Sequence, residues 1–272
     1  MGILDETYTL DTGAKIPKIG FGTWQIQNGE EAYNSVAFAL QNGYRHIDTA
    51  RAYGNEESVG KAIRDSGIDR KEIFLTTKLP AEIKTYEGTL ETFEKTMTAL
   101  DLDYVDLYLI HAPWPWAERG ADYTAENIKV WKAMEDIYKS GRAHAIGVSN
   151  FNISDLQAIL DNSEVKPSAN QIRFFIGFTE EDITQFCQEN NILVEAYSPL
   201  ATGKILDNKE VVAMAEKYSK TVAQVSIRYT LQRGTLPLPK STHEEYILQN
   251  ANVDFDISDA DMKYLDSLKD IV

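Results

Sequence analysis

A short apolar run, a polar loop and an amphipathic helix recur along almost the whole chain, and this repeat limits the possible folds more than any other feature. The runs are KIGF, RHID, IFLTTK, VDLYLI, AIGVSN, SANQI, ILVEAYS and LPLP, beginning about every 25 to 45 residues. Between them the apolar positions take helical spacing, as at Leu90, Phe93, Met97 and Leu100, or at Val130, Met134 and Ile137. Gly43, Gly141 and Gly234 follow helical stretches, and Ser258-Asp-Ala-Asp261 opens the last one. Eight such units with near-continuously apolar strands predict a parallel sheet covered by helices. No linker or low-complexity tract interrupts the 272 residues, so one domain spanning 1–272 is expected.

Eight parallel strands either close into a (β/α)₈ barrel or stay open as a doubly wound sheet. The open form should carry a glycine-rich dinucleotide fingerprint after an early strand. Residues 20–25, GFGTWQ, begin that way, but Gln25 stands where the third glycine belongs and Asp48 comes too late for the acidic partner. The barrel is therefore the predicted fold. The opening TYTLDTGAKIPKIG reads as a β-hairpin that closes the barrel bottom.

In such a barrel, chemistry sits at the C-terminal ends of the strands. Asp48 ends RHI, with Tyr53 five residues on; Lys78 ends IFLTT, and His111 ends VDLYLI. These are neighbouring strands, so their ends should meet on one side of the barrel mouth. The four groups suit carbonyl reduction, which needs a hydride on carbon and a proton on oxygen. A phenol with a pKa near 10 is a weak acid, and an ammonium beside it should lower that value. At about 4 Å and an effective dielectric near 20 the attraction is roughly 4 kcal/mol, which bounds the lowering at about three. Asp48 would hold Lys78 charged, and His111 would orient the substrate oxygen. Taken singly, Asp48 could be a cap, Tyr53 and His111 could be core residues, and Lys78 could be the Schiff-base lysine of an aldolase.

Charge and cysteine content narrow the partners. The chain has 27 Lys+Arg against 42 Asp+Glu, a net −15 that repels nucleic acid and anionic membrane surfaces. Its one cysteine, Cys187, cannot form an intramolecular disulfide and is read as core. The N-terminal MGILDETYTL has no signal-peptide pattern, and Glu6 breaks the myristoylation pattern. A cytoplasmic monomer with no metal and no obligate protein partner is expected.

In sequence the stretches GFGTWQ, YRHIDTARAYGNEESVGKAI, IFLTTKL, LDYVDLYLIHAP, IGVSNF, NQI, AYSPL and LPKS resemble the aldo-keto reductase family, in its order and spacing. The resemblance implies a TIM barrel, NAD(P)H-dependent reduction of aldehydes and ketones, and Asp48, Tyr53, Lys78 and His111 as the catalytic tetrad. It also implies that Ser149, Asn150 and Gln171 hold the nicotinamide carboxamide and that Tyr197 stacks on the ring. Ser198, Leu200, Lys240 and Ser241 would contact the phosphate-bearing half, Gln249 and Asn250 the adenine, with Thr23 a further cofactor contact. Trp24, Ala52 and Trp114 would line the substrate pocket, with Trp116 a second loop tryptophan. Without the resemblance, GVSNF could be a strand end with an Asn cap, Tyr197 a packed aromatic and LPKS an ordinary turn. A sensor barrel that binds cofactor without turnover is a further alternative.

Several positions depart from the family pattern. Tyr246, after Glu244 and Glu245, stands where NADPH-preferring members carry a basic residue, so NADPH is expected with NADH use possible. NQI continues as Arg173-Phe-Phe-Ile-Gly, Ala112 follows the histidine and Pro80 follows Leu79. No long C-terminal tail follows Leu268, and an open, broadly accepting pocket is expected, as in the bacterial diketogluconate-reductase-like subgroup.

Overall fold

The computed structural model describes residues 2–269 and 271–272. The first strands, Thr7–Thr9 (β1) and Lys15–Pro17 (β2), pair antiparallel as the expected hairpin. Eight strands then pair in parallel in chain order: Phe21–Gly22 (β3), His46–Asp48 (β4), Phe74–Leu79 (β5), Val105–Ile110 (β6), Ala143–Ser149 (β7), Ala169–Arg173 (β8), Leu193–Tyr197 (β9) and Leu236–Leu238 (β10). Two backbone hydrogen bonds bridge the last strand to the first, Gly20 N to Pro237 O at 3.1 Å and Gly22 N to Pro239 O at 3.0 Å. The result is a (β/α)₈ barrel. It also explains the incomplete glycine fingerprint, because those glycines form the seam. A Cβ on Gly20 would stand 2.6 Å from His46 Nδ1.

Helices cover the outside: Glu30–Gln41 (α1), Glu56–Asp65 (α2), Tyr86–Leu100 (α3), Thr124–Lys139 (α4), Ile153–Asn162 (α5) and Glu181–Glu189 (α6) each follow one strand. Lys209–Tyr218 (α7) and Val222–Gln232 (α8) both lie between β9 and β10, and Glu244–Ala251 (α9) and Asp259–Ser267 (α10) follow β10. The last helix is capped as read from sequence, Ser258 Oγ accepting from Asp261 N, and at the start of α5 Asn152 forms a capping box with Asp155. The apolar stripes of α3 and α4, including Phe93, Met97, Val130 and Met134, pack onto the strands. None of the described helices is long and apolar enough to cross a membrane. Cys187 is buried in α6, and burial pushes its thiol up to about 11, as expected of a core residue.

Gly60 allows a close approach of α2 to α3. A Cβ there would lie 2.0 Å from Leu100 O, the end of α3. Gly60→Ala must separate α2 from α3, and we expect a loss of about 1–3 kcal/mol in urea unfolding. An unchanged midpoint would mean that the contact is loose.

Inside the barrel the layers differ in character. The lower interior is apolar: Phe74, Leu107, Leu109, Ala145, Ala169 and Leu236 meet Leu10 and Ile16 of the hairpin region, which close the bottom. The upper interior is polar. Strand alternation sends His46 and Asp48, Thr76 and Lys78, Gln171, and Glu195 inward. That gradient places the site at the C-terminal mouth.

Candidate active site

Three adjacent strands deliver the ionisable groups, and a short turn delivers the phenol. β4 pairs Asp48 with Thr76 of β5, and β5 pairs Lys78 with Leu109 of β6, so the strand ends lie side by side. Tyr53 closes a 3-10 turn, Arg51–Tyr53, after which Gly54 takes a left-handed φ of 71°. Asn55 ties this loop down: its amide donates to Thr23 O and Ile26 O at 3.0 Å each and accepts from the Thr49 hydroxyl at 2.9 Å. The loop bearing Tyr53 is therefore locked to the loop bearing Trp24.

Lys78 is fully buried. Its Nζ donates to Asp48 Oδ1 and Oδ2 at 2.8 and 2.9 Å and to Thr49 O at 2.8 Å, and it stands 3.3 Å from the Tyr53 hydroxyl. The His111 ring meets that of Tyr53 edge to face with centroids 5.7 Å apart. All four residues singled out from the strand ends thus meet in one place.

Their electrostatics differ from the sequence expectation at one point. Burial works against the Lys78 ammonium, but Asp48 and Tyr53 outweigh it and the pKa is raised, so the lysine stays charged. For Tyr53 the expectation of a lowered pKa is corrected. Burial pushes the phenol up, and the attraction of Lys78 only partly offsets it while Asp48 adds to the rise. A phenol so placed holds its proton throughout the neutral range. His111 is pushed down to about 3, first by burial and then by the Lys78 charge, so its ring is neutral. Its Nδ1 is enclosed without a partner, leaving Nε2 as the ring nitrogen available to a ligand.

Two further residues join this group from across the barrel. Gln171 Nε2 donates to Asp48 Oδ2 and to Glu195 Oε2, both at 2.8 Å. Glu195 is fully buried, and burial together with the Asp48 charge pushes it up to about 7. Its other oxygen lies 4.0 Å from His46 Nε2. His46 is held neutral, near 3, by burial and by Lys78, and its Nε2 lies 3.0 Å from the Thr76 hydroxyl. A carboxyl that ionises near 7 when folded but near 4.5 when free keeps its proton while the unfolded chain loses one. Folding stability therefore falls between about pH 4.5 and 7, by about 3 kcal/mol. Glu195→Gln has no such proton. The variant should match the wild type near pH 4.5 and exceed it by up to about 3 kcal/mol at pH 8 in urea unfolding. A gap that does not widen with pH would mean that Glu195 ionises normally.

A cavity of about 1020 Å³ opens in front of these groups. Asp48, Tyr53 and His111 line it, while Lys78 stands behind them. Ser149, Asn150, Gln171, Tyr197, Ser198, Leu200, Lys240, Ser241, Gln249 and Asn250 all contribute to its wall, as do Trp24 and Ala52. The polar wall is internally braced: Asn150 Nδ2 donates to His111 O at 2.9 Å, and the Tyr197 hydroxyl donates to Asn150 Oδ1 at 2.8 Å. Two expected residues are not in the wall. Thr23 is buried behind it and donates its hydroxyl to Asp48 O at 3.0 Å. Trp114 is replaced by Trp116, which packs edge-on against His111 with centroids 5.6 Å apart, while Trp114 supports it from behind at 5.2 Å. Arg173, Thr202, Leu206, Thr221 and Tyr246 line the cavity without having been assigned a contact from sequence. Glu195 was also missed; its signal was a lone charge inside the apolar run ILVEAYS.

Residues 18–270 match the model of the Aldo/keto reductase family. The chain is 44% identical over 266 residues to a glyoxal reductase of Bacillus subtilis, covering 97% of this chain and 93% of the relative. An aldehyde reductase of Saccharomyces cerevisiae is 39% identical over 289 residues, with 97% and 91% covered. Among solved structures, an aldo/keto reductase of Brucella melitensis is similar with a TM-score of 0.90 and 41% identity, covering 97% of this chain and 99% of that one. An aldo-keto reductase of Bombyx mori in complex with NADP reaches a TM-score of 0.85 at 34% identity, with 96% and 92% covered.

Proposed function

Because this chain belongs to the aldo/keto reductase family, we propose that it reduces aldehydes and ketones to alcohols with NADPH, Tyr53 giving the proton. The observation that carries the reading is the Tyr53 hydroxyl, held protonated at the cavity wall 3.3 Å from a charged lysine.

The cavity residues fit a dinucleotide. The cavity is at the upper end of the range for ligand pockets, and it extends from Tyr53 and His111 to Gln249 and Asn250. One end offers the amides of Asn150 and Gln171 and the Tyr197 ring, suited to a nicotinamide. The other offers Lys240 and Ser241 near Thr221, Val222 and Ala223 at the start of α8. A lysine and a helix N-terminus favour phosphate. Lys240 supports NADPH, while Glu244 and Glu245 in the first turn of α9 and the uncharged Tyr246 leave NADH usable.

A reduced nicotinamide bound there supplies hydride to the carbonyl carbon. Tyr53 and the neutral His111 hydrogen-bond the carbonyl oxygen from their side of the cavity, and as negative charge grows there Tyr53 releases its proton to it. Lys78 stabilises the phenolate left behind, which makes the transfer easier without leaving the phenol ionised at rest. Asp48 keeps Lys78 charged and aimed. Trp24 and Trp116 wall the substrate end, and the whole chain, 1–272, acts as one domain. A Schiff-base lysine must be neutral and reachable; the charge and complete burial of Lys78 argue against the aldolase alternative.

The test is oxidation of NADPH and NADH over small aldehydes, ketones and sugars, with dicarbonyls included because the Bacillus subtilis relative is a glyoxal reductase. We expect turnover with at least one carbonyl class and faster rates with NADPH. Cofactor binding with no turnover over the whole panel would favour a sensor instead.

A further inference from the structure

Glu195 has no part in the proton transfer above, yet it is fully buried and bonded into the group that performs it. Register explains the contact: β8 and β9 pair Gln171 with Glu195, so the two side chains stand next to each other on the inner face of the barrel. An amide nitrogen has two hydrogens. Here one goes to Asp48 Oδ2 and the other to Glu195 Oε2, each at 2.8 Å. With both hydrogens engaged inside the barrel, the amide oxygen is left for the cavity that Gln171 lines.

We propose that Glu195 is a positioning residue: with Asp48 it fixes the Gln171 amide nitrogen-inward, so that the amide oxygen faces the cavity and accepts from the cofactor's carboxamide NH₂. The proposal rests on the reading of this wall as the carboxamide contact. Asp48 takes only one of the two hydrogens. Without Glu195 the second is buried and unmet, and the amide, held by Asp48 alone, swings about that single bond to reach another acceptor, which carries its oxygen out of line with the cavity. Asp48 cannot take over this role, because its Oδ2 already accepts from both Lys78 and the first amide hydrogen and its Oδ1 is turned to Lys78.

The test uses the full chain and NADPH, with affinity read by fluorescence titration and folding by urea unfolding. Glu195→Leu removes the acceptor at similar size and should weaken NADPH binding about tenfold, the worth of one hydrogen bond. The KM for NADPH should rise in parallel while kcat stays within about threefold, the mark of lost ground-state binding. Glu195→Gln keeps an oxygen for the same hydrogen and should bind NADPH within about twofold of the wild type. If the leucine variant does not fold, Glu195→Thr, too short to reach the amide, should show the same weakening. A folded Glu195→Leu or Glu195→Thr chain with wild-type affinity overturns the positioning role and leaves the cavity reading intact, as does a Glu195→Gln chain weakened as much as the leucine one. Wild-type protein that does not bind NADPH overturns the cavity reading itself, and the inference with it.

Discussion

Tyr53→Phe lowers kcat for carbonyl reduction by at least about 100-fold, the lower range for losing a positioned general acid, with NADPH affinity nearly unchanged. The substitution removes one oxygen from a ring that keeps its edge contact with His111 at a centroid distance of 5.7 Å. It leaves the Lys78–Asp48 pair with both of its bonds and the Thr49 carbonyl, so the fold should persist. What disappears is the proton that neutralises oxygen as hydride arrives. His111 does not replace it, since burial and Lys78 hold the imidazole neutral, near 3, and an imidazole N–H is a far poorer acid than a phenol. The pH profile gives an independent check. Because burial raises the phenol above its ordinary value, an alkaline fall in kcat caused by Tyr53 ionisation belongs above about pH 10. A folded phenylalanine variant with full kcat would remove Tyr53 from the chemistry.

The second large effect concerns stability. Lys78→Met leaves the Asp48 carboxylate, almost fully buried, without its cation and with buried Glu195 as a neighbour. Breaking a buried pair from one side costs about 3–5 kcal/mol, far more than a surface pair is worth. The variant should lose that much in urea unfolding and nearly all of its kcat. Adding Asp48→Asn removes the stranded charge and should restore most of the stability but none of the activity. A single variant that costs less than about 1 kcal/mol would mean that water reaches Asp48 and the pair is not truly enclosed.

Much of the architecture is readable in the sequence itself. The strands show because both faces of a parallel sheet are covered, which turns VDLYLI or AIGVSN into a near-continuous apolar run. Asp48, Lys78 and His111 stand out because each ends such a run, where an ionisable group has little reason to be unless it is used. Most of the remaining wall was reached through the family resemblance, not through periodicity. The misses share a cause: they depend on contacts between residues far apart in sequence. Whether the lysine or burial wins at Tyr53 turns on how much solvent reaches the phenol, which spacing does not reveal. Trp116 displaces Trp114 because a 3-10 turn at Trp116–Glu118 swings its ring against His111. Thr23 turns inward because the next loop must reach Asn55, a bond spanning 32 residues. The Asp48–Gln171 bond joins residues 123 apart across the barrel, and no local pattern announces it.

Reduction with NADPH carrying deuterium at the transferable position, in ordinary water, is the most direct measurement of whether hydride passes from the nicotinamide to the carbonyl carbon. The product alcohol should hold one deuterium on the former carbonyl carbon and a solvent-derived hydrogen on oxygen, with no substrate trapped on Lys78 by borohydride. Alcohol without deuterium on carbon, or a covalent adduct on Lys78, would contradict hydride reduction.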